Sequence, residues 1–81
     1  MIRVYFFASV KEDLDRSELI LEWRSGSVGD LVSKIDAEHN TSPRKLMREN
    51  LLASINQEMV DMDFPVRDGD EVGFFPPVTG G

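Results

Sequence analysis

The sequence of 81 residues predicts a single α+β domain, in which one main helix covers one face of a mixed β-sheet. Residues 2–10 and 71–75, near the two ends of the chain, are rich in β-branched and aromatic side chains, which favour strands. Between them, apolar residues recur at helical spacing over residues 28–35. We expect residues 1–75 to form this domain and residues 76–81 to form a flexible, extended C-terminal tail.

The first two strands are predicted to form an antiparallel hairpin. Residues 2–10 are rich in β-branched and aromatic side chains, which favour a strand. Residues 11–17 are polar and indicate a connecting loop longer than the tightest hairpin turns. Residues 18–23 predict the second strand, because alternate residues from Leu19 to Trp23 are apolar and share one face.

The main helix is predicted to begin after Ser27 and to end near His39. Ser27 is a suitable N-cap, and Asp30 three residues later provides a weaker form of the capping box. An apolar stripe follows at helical spacing, formed by Val28, Leu31, Val32 and Ile35. The helix can therefore bury this face against the sheet.

A second, shorter helix is predicted for residues 44–50. Ser42 followed by Pro43 indicates a helix start, because proline fits the first helical position. This helix would direct Leu46 and Met47 toward the core.

The C-terminal half supplies the remaining strands. Residues 51–56 alternate as a third strand, and residues 59–60 form a short pairing segment after a turn. Pro65 favours an irregular or edge segment, because proline cannot donate to a sheet ladder. Residues 68–70 are typical of a turn and precede the last strand, residues 71–75.

The order of these elements is that of the ubiquitin-like β-grasp fold, in which the first and last strands are central, parallel neighbours. Side chains alternate between the faces of a strand, so Phe6 and Phe74 would then point into the core under the helix. Phe7 and Phe75 would point to the open face on adjacent strands. Together with Met59, they form a candidate docking surface beside the exit of the tail.

The composition excludes several classes of function. Fifteen acidic residues against nine basic residues give a formal net charge of −6, which argues against binding to nucleic acid or to anionic membranes. The absence of cysteine excludes disulfides, thiolate nucleophiles and cysteine metal sites. No stretch has the plan of a signal peptide or the length of a membrane span, so the cytoplasm is the predicted compartment.

The side chains offer no evident catalyst and no metal site. His39 is the only histidine, and it lies near a predicted helix end, where a structural or neutral role is expected. The acidic residues between Asp61 and Glu71 lack the spacing of an EF-hand and are better explained by turn formation and solvation. We therefore expect this chain to bind no metal and no cofactor.

The C-terminal stretch carries the most specific signal. It reads Phe74-Phe75-Pro76-Pro77-Val78-Thr79-Gly80-Gly81. The two prolines favour an extended path, and the two glycines can enter a narrow channel in another protein while leaving the terminal carbonyl carbon unhindered. The predicted reactive group is therefore the terminal carboxylate of Gly81, which adenylation by ATP would activate for attack by an amine, a thiol or a sulfur donor.

The chain resembles the small subunits of molybdopterin synthase, which are ubiquitin-like sulfur carriers. The resemblance covers nearly the whole chain and rests on residues 1–8, 51–57 and, most specifically, 68–81. It implies that an adenylating enzyme similar to ubiquitin-activating enzymes uses ATP to activate Gly81. A sulfur donor system then converts the terminus to a thiocarboxylate.

The resemblance also implies the later steps and the partner. The tail inserts into the active site of the large synthase subunit and passes sulfur to cyclic pyranopterin monophosphate, a step in molybdenum cofactor biosynthesis. The inserted residues are Pro76, Pro77, Val78, Thr79 and Gly80. The family's synthase is a heterotetramer of two small and two large subunits, and its catalytic side chains belong to the large subunit. This chain alone is therefore expected to have no activity.

The family resemblance implies docking roles for Phe7, Met59 and Phe75, although leucine is the usual family residue at the position of Met59. Three other functions stay open on the residues alone. One is a sulfur carrier for another pathway, such as thiamin synthesis, and a second is a ubiquitin-like modifier that forms isopeptide bonds with lysines. The third is a simple binding module.

Overall fold

The computed structural model describes residues 1–77 and contains a five-stranded mixed sheet with a helix packed on one face. Its elements in chain order are β1 (Ile2–Phe6), α1 (Ala8–Leu14), β2 (Glu18–Leu21), α2 (Val28–Glu38), β3 (Leu52–Ile55), β4 (Glu58–Val60) and β5 (Glu71–Phe75). The strands lie in the order β2-β1-β5-β3-β4. The predicted fold class is confirmed, and the last strand lies at the centre of the sheet.

The first strand is shorter than predicted, because a helix follows it. Residues 8–14, predicted as the end of a strand and the start of a polar loop, form α1 instead. No side chain caps the start of this helix, and Ala8 enters it with a φ of 53°. Val10 and Leu14 lie one helical turn apart and are both buried, so tertiary packing stabilises a helix without a conventional start signal. The hairpin of β1 and β2 is antiparallel as predicted, but α1 connects its strands.

The main helix agrees with its prediction. The Asp30 backbone N–H donates to the Ser27 hydroxyl at 3.1 Å, and the Ser27 backbone N–H donates to the Asp30 carboxylate at 2.9 Å. This reciprocal capping box starts α2 at Val28, and the helix is capped at its other end by His39. All four residues of the predicted apolar stripe are buried.

The predicted second helix over residues 44–50 does not form. These residues lie in bends and turns, because the Asp36 carboxylate of α2 accepts the backbone N–H groups of Leu46 at 2.7 Å and of Met47 at 3.0 Å. Leu46 is buried as predicted, whereas Met47 is 50% exposed and was wrongly placed in the core. Burial raises the pKa of Asp36, but the hydrogen bonds from Met47 and Leu46 outweigh it and hold the pKa below its ordinary value of 3.8.

Turns with left-handed residues position the last three strands. Asn56 and Gln57 have φ angles of 50° and 73° and join β3 to β4. Gly69, with a φ of 90°, lies in the turn that leads into β5. The new strand pairs in parallel with β1 on one side and antiparallel with β3 on the other, as the β-grasp arrangement predicts.

The core lies between the sheet and its helices. Phe6 and Phe74 sit opposite each other on β1 and β5, with exposed fractions of 2% and 0% and ring centroids 6.3 Å apart. Their predicted position in the core is confirmed. Neither helix of residues 1–77 has the length and apolar character needed to cross a membrane.

Candidate functional site

The C-terminal tail begins directly at the end of the central strand. Pro76 and Pro77 follow β5 and are both partly buried. The predictions for Val78, Thr79, Gly80 and Gly81 concern residues outside those that the structure describes. The described part of the site is therefore the surface from which the tail departs.

Two phenylalanine rings are stacked beside the exit of the tail. The rings of Phe7 and Phe75 have centroids 4.6 Å apart and planes only 4° from parallel. The backbone N–H of Phe7 donates to the carbonyl oxygen of Phe74 at 3.1 Å, which continues the pairing of the two strands to this point. Phe7 is 42% exposed. The prediction that both rings lie on the open face of adjacent strands is confirmed.

Met59 joins the two rings at one groove. It lies on β4 opposite Ser54, and its exposed fraction of 60% is the largest among the exposed large apolar residues. The groove has a volume of about 540 Å³ and is open to solvent. The structure thus brings together the three residues predicted for docking, although their role in docking stays a prediction.

Sequence reasoning gave no role to other residues of the groove. Tyr5, Ser54, Gln57 and Gly73 also line it. Tyr5 was accessible to prediction, because it lies two residues before Phe7 on the same face of β1. Ser54 and Gly73 were not, because only the register of β3 against β5 sets them opposite each other.

The open face is apolar near the tail and charged at its other end. Arg3 lies opposite Glu71 on β5 and opposite Ile20 on β2. Its interaction with Tyr5 and then with the carboxylates of Glu18 and Glu71 raises the pKa of the Arg3 guanidinium. An apolar docking surface bordered by charges is typical of protein–protein interfaces.

The described residues do not assemble a metal site. Within residues 1–77, no three histidine or acidic side chains lie close enough together to hold a metal ion. His39 caps α2, and its carbonyl oxygen accepts a hydrogen bond from Arg16 at 3.0 Å. The groove instead offers a lining that is mostly apolar, with a few polar side chains in it.

Comparison with known proteins identifies the family. The model of the ThiS family matches residues 4–81, which is almost the whole chain. The chain belongs to the ThiS family. The match includes the tail as well as the domain that carries the groove.

Two relatives that the chain matches over its full length are named molybdopterin synthase sulfur carrier subunit. The molybdopterin synthase sulfur carrier subunit of Escherichia coli (strain K12) is 42% identical over 83 residues, which cover 100% of both chains. Among solved structures, the putative molybdopterin converting factor subunit 1 from Pyrococcus furiosus has a TM-score of 0.73 and 28% identity, covering 95% of this chain and 97% of that one. The resemblance inferred from the sequence is confirmed.

A further solved structure is a protein–protein complex of subunits 1 and 2 of molybdopterin-converting factor from Helicobacter pylori 26695. It matches with a TM-score of 0.65 and 20% identity, covering 99% of this chain and 97% of that chain. At this identity the match supports the shared β-grasp fold alone. Fold and family together justify a proposal about the partner, which follows below.

Proposed function

We propose that this chain is the sulfur carrier subunit of a molybdopterin synthase. The proposal rests on the 42% identity, over the full length of both chains, between this chain and the molybdopterin synthase sulfur carrier subunit of Escherichia coli. The tail supports it, because residues 76–81 combine two stiffening prolines with two glycines at the reactive end. The carrier itself has no catalytic side chain in this proposal and acts as the sulfur-donating subunit of the complex.

The proposed cycle begins with activation of the Gly81 carboxylate. A carboxylate oxygen attacks the α-phosphorus of ATP and pyrophosphate leaves, which gives an acyl-adenylate. Sulfur that the donor system delivers as hydrosulfide then attacks the acyl carbon and forms the C–S bond with loss of its proton, and AMP leaves with the original oxygen. The product is a thiocarboxylate, whose sulfur is nucleophilic. The ATP belongs to the adenylating enzyme, so this chain requires no cofactor of its own.

The second half of the cycle takes place in the large subunit. The thiocarboxylate sulfur forms a bond to a carbon of cyclic pyranopterin monophosphate as a carbon–oxygen bond of that substrate breaks and its oxygen leaves. Water then cleaves the acyl carbon–sulfur bond, so that the sulfur stays on the pterin and the Gly81 carboxylate is regenerated. Six residues span about 20 Å when fully extended, so residues 76–81 are long enough to enter a neighbouring active site. We propose a heterotetramer of two small and two large subunits in the cytoplasm as the working assembly.

The groove has the role of a docking surface in this proposal. The exposed ring of Phe7, the partly buried ring of Phe75 and the flexible side chain of Met59 offer apolar area beside the exit of the tail. Docking at this point holds the tail at a high effective concentration near its target. It thereby offsets the entropy that the two terminal glycines lose when they are ordered.

Deletion of Gly81 tests the reactive terminus. The variant should fold with an unchanged melting temperature, because residue 81 lies beyond the central strand, and it should acquire no sulfur. Incubation with the adenylating enzyme, ATP and the sulfur donor system, followed by intact mass spectrometry, measures the replacement of one oxygen by sulfur. Glu49→Gln, at an exposed position in the loop after α2, is the matched control and should load normally. Normal loading of the deletion variant would refute the proposal.

A sulfur carrier for another pathway is the second candidate, because the ThiS family model does not by itself specify a pathway. Addition of the loaded chain to the large synthase subunit and cyclic pyranopterin monophosphate separates the two. Formation of molybdopterin supports the first proposal, whereas a loaded chain that forms none favours the other pathway. A series of covalent conjugates on other proteins in cell extracts would instead support a ubiquitin-like modifier.

A further inference from the structure

Gly73 lies in the central strand, at a position where the backbone conformation does not require a glycine. A glycine within a strand weakens it, because the residue loses more conformational freedom on folding and contributes no side chain to packing. The positive φ angles among the glycines of residues 1–77 are at Gly26 and Gly69, so Gly73 is not needed for an unusual backbone conformation. The reason for a glycine at this position is therefore the limited space next to its Cα, where a side chain would begin.

Three side chains converge on that space. A Cβ atom placed on Gly73 would lie 2.8 Å from the Ser54 hydroxyl oxygen and 3.2 Å from a ring carbon of both Phe7 and Phe75. The first distance is shorter than carbon and oxygen tolerate, and the other two are tighter than ordinary contacts between carbons. The stacked rings therefore rest over the glycine, and any larger residue would displace them or the serine.

Ser54 forms the other wall of this space. It lies opposite Gly73 in the ladder between β3 and β5. Its side chain is polar but only 8% exposed, and among residues 1–77 it is the one polar side chain that is buried. Both residues line the groove with Phe7, Met59 and Phe75. The floor of the groove is thus formed by Gly73, which has no side chain, and by the small side chain of Ser54.

We propose that Gly73, paired with Ser54, is the positioning residue of the docking groove. Its lack of a side chain fixes the stacked arrangement of Phe7 and Phe75, and the large subunit docks on the rings in this arrangement. This inference rests on the proposed function for the identity of the partner. The geometry of the rings, however, can be tested without that partner.

The primary test replaces Gly73 with alanine. The expected result is displacement of the Phe7 and Phe75 rings, seen as changes in their aromatic proton shifts by NMR, while the shifts of Phe6 and Phe74 on the covered face stay unchanged. Affinity for the purified large synthase subunit, measured by calorimetry, should fall about tenfold, and the melting temperature should change by only a few degrees.

Ser33→Ala, at an exposed position of α2 on the other side of the sheet, is the matched control and should bind within about twofold of the wild type. The double variant Gly73→Ala/Ser54→Ala tests the pairing. The double variant should recover most of the lost affinity and the ring shifts, because removal of the hydroxyl gives the new Cβ room. If Gly73→Ala does not fold, recovery of folding and stacking in the double variant carries the same conclusion.

Two results would overturn the inference, and they are distinct from failure of the proposed function. Unchanged ring shifts in Gly73→Ala would show that the glycine does not position the stack. Binding of Gly73→Ala within about twofold of the wild type would show that the stack's position does not matter for docking. If the wild type itself does not bind the large subunit, the proposed function fails, and the ring shifts still decide the role of Gly73.

Discussion

The two faces of the central strand use the same type of residue for different purposes. Phe74 points to the covered face, where it packs against Phe6 and is fully buried. Phe75, the next residue, points to the open face and stacks on Phe7, which is 42% exposed. The alternation of a strand therefore decides which phenylalanine stabilises the fold and which stays available to a partner.

The largest effect is expected for Phe74→Ala, which tests the covered face. Truncation of a fully buried phenylalanine removes apolar burial and leaves a cavity, at a cost of about 3–5 kcal/mol in the free energy of unfolding. Urea denaturation followed by tryptophan fluorescence measures this loss. A cost below about 1 kcal/mol would contradict the assignment of Phe74 to the core.

Phe75→Ala is the matched change on the open face and should show the opposite profile. Affinity for the large synthase subunit should fall about thirtyfold, or about 2 kcal/mol, as for an aromatic residue at the centre of an interface. The free energy of unfolding should fall by no more than about 1 kcal/mol, because the ring is only partly buried. Calorimetric titration and urea denaturation give the two quantities. Normal affinity together with a large loss of stability would erase the distinction between the faces.

A smaller effect, of about 1 kcal/mol, is expected for Asp36→Asn, which alters the helix layer without touching the groove. Asparagine keeps one acceptor oxygen without its charge, and its NH2 group replaces the other oxygen and cannot accept the second of the N–H groups of Leu46 and Met47. The variant should unfold at a lower urea concentration and bind the large subunit normally. Weakened binding at unchanged stability would mean that the helix layer and the open face are coupled.

The Asp36 carboxylate also predicts the direction in which the free energy of unfolding changes at acid pH. The pKa of Asp36 is lower in the folded state than its ordinary value of 3.8, so its stabilising contribution is complete well above that value. The contribution should decrease as the pH falls through 3.8 and onward through the folded-state pKa. Urea denaturation across this range should show a shallower loss for Asp36→Asn than for the wild type. Parallel curves would indicate that Asp36 does not contribute to acid sensitivity.

Local sequence signals predicted those parts of the fold in which local and tertiary preferences agree. Ser27 and Asp30 form the capping box, and alternation places Phe6 and Phe7 on opposite faces. Helix α1 escaped prediction because Phe7 supplies no side-chain cap and Ala8 starts with a positive φ. The helical spacing of the apolar residues Val10 and Leu14 was the available sequence signal for this helix. The β-propensity of the residues before and including Val10 obscured that signal.

The loop after α2 shows tertiary hydrogen bonds overriding a local helix signal. Ser42 and Pro43 resemble a helix start, but the Ser42 hydroxyl donates to the carbonyl oxygen of Asp13 at 2.6 Å. The Asp36 carboxylate also accepts the Met47 N–H, which a helix over residues 44–50 would have bonded to the carbonyl oxygen of Pro43. The sequence of the loop alone cannot predict these hydrogen bonds, because Asp13 and Asp36 lie outside the loop.

The candidate site divides in the same way. The positions of Phe7 and Phe75 followed from alternation and from the fold that the element order indicated, whereas Met59 was included for its adaptable side chain and by the family resemblance. The contribution of Gly73 and Ser54 depends on the register between β3 and β5, which the sequence does not encode locally.

The central position of β5 also determines how the molecule bears a mechanical load. The tail continues directly from this strand, which has hydrogen-bonded neighbours on both sides. A force that draws the tail into a partner therefore acts along β5 and shears it against β1 and β3 simultaneously. The hydrogen bonds of both ladders resist together instead of opening one after another from an edge. The domain can thus be held by its tail while Phe74 stays anchored in the core.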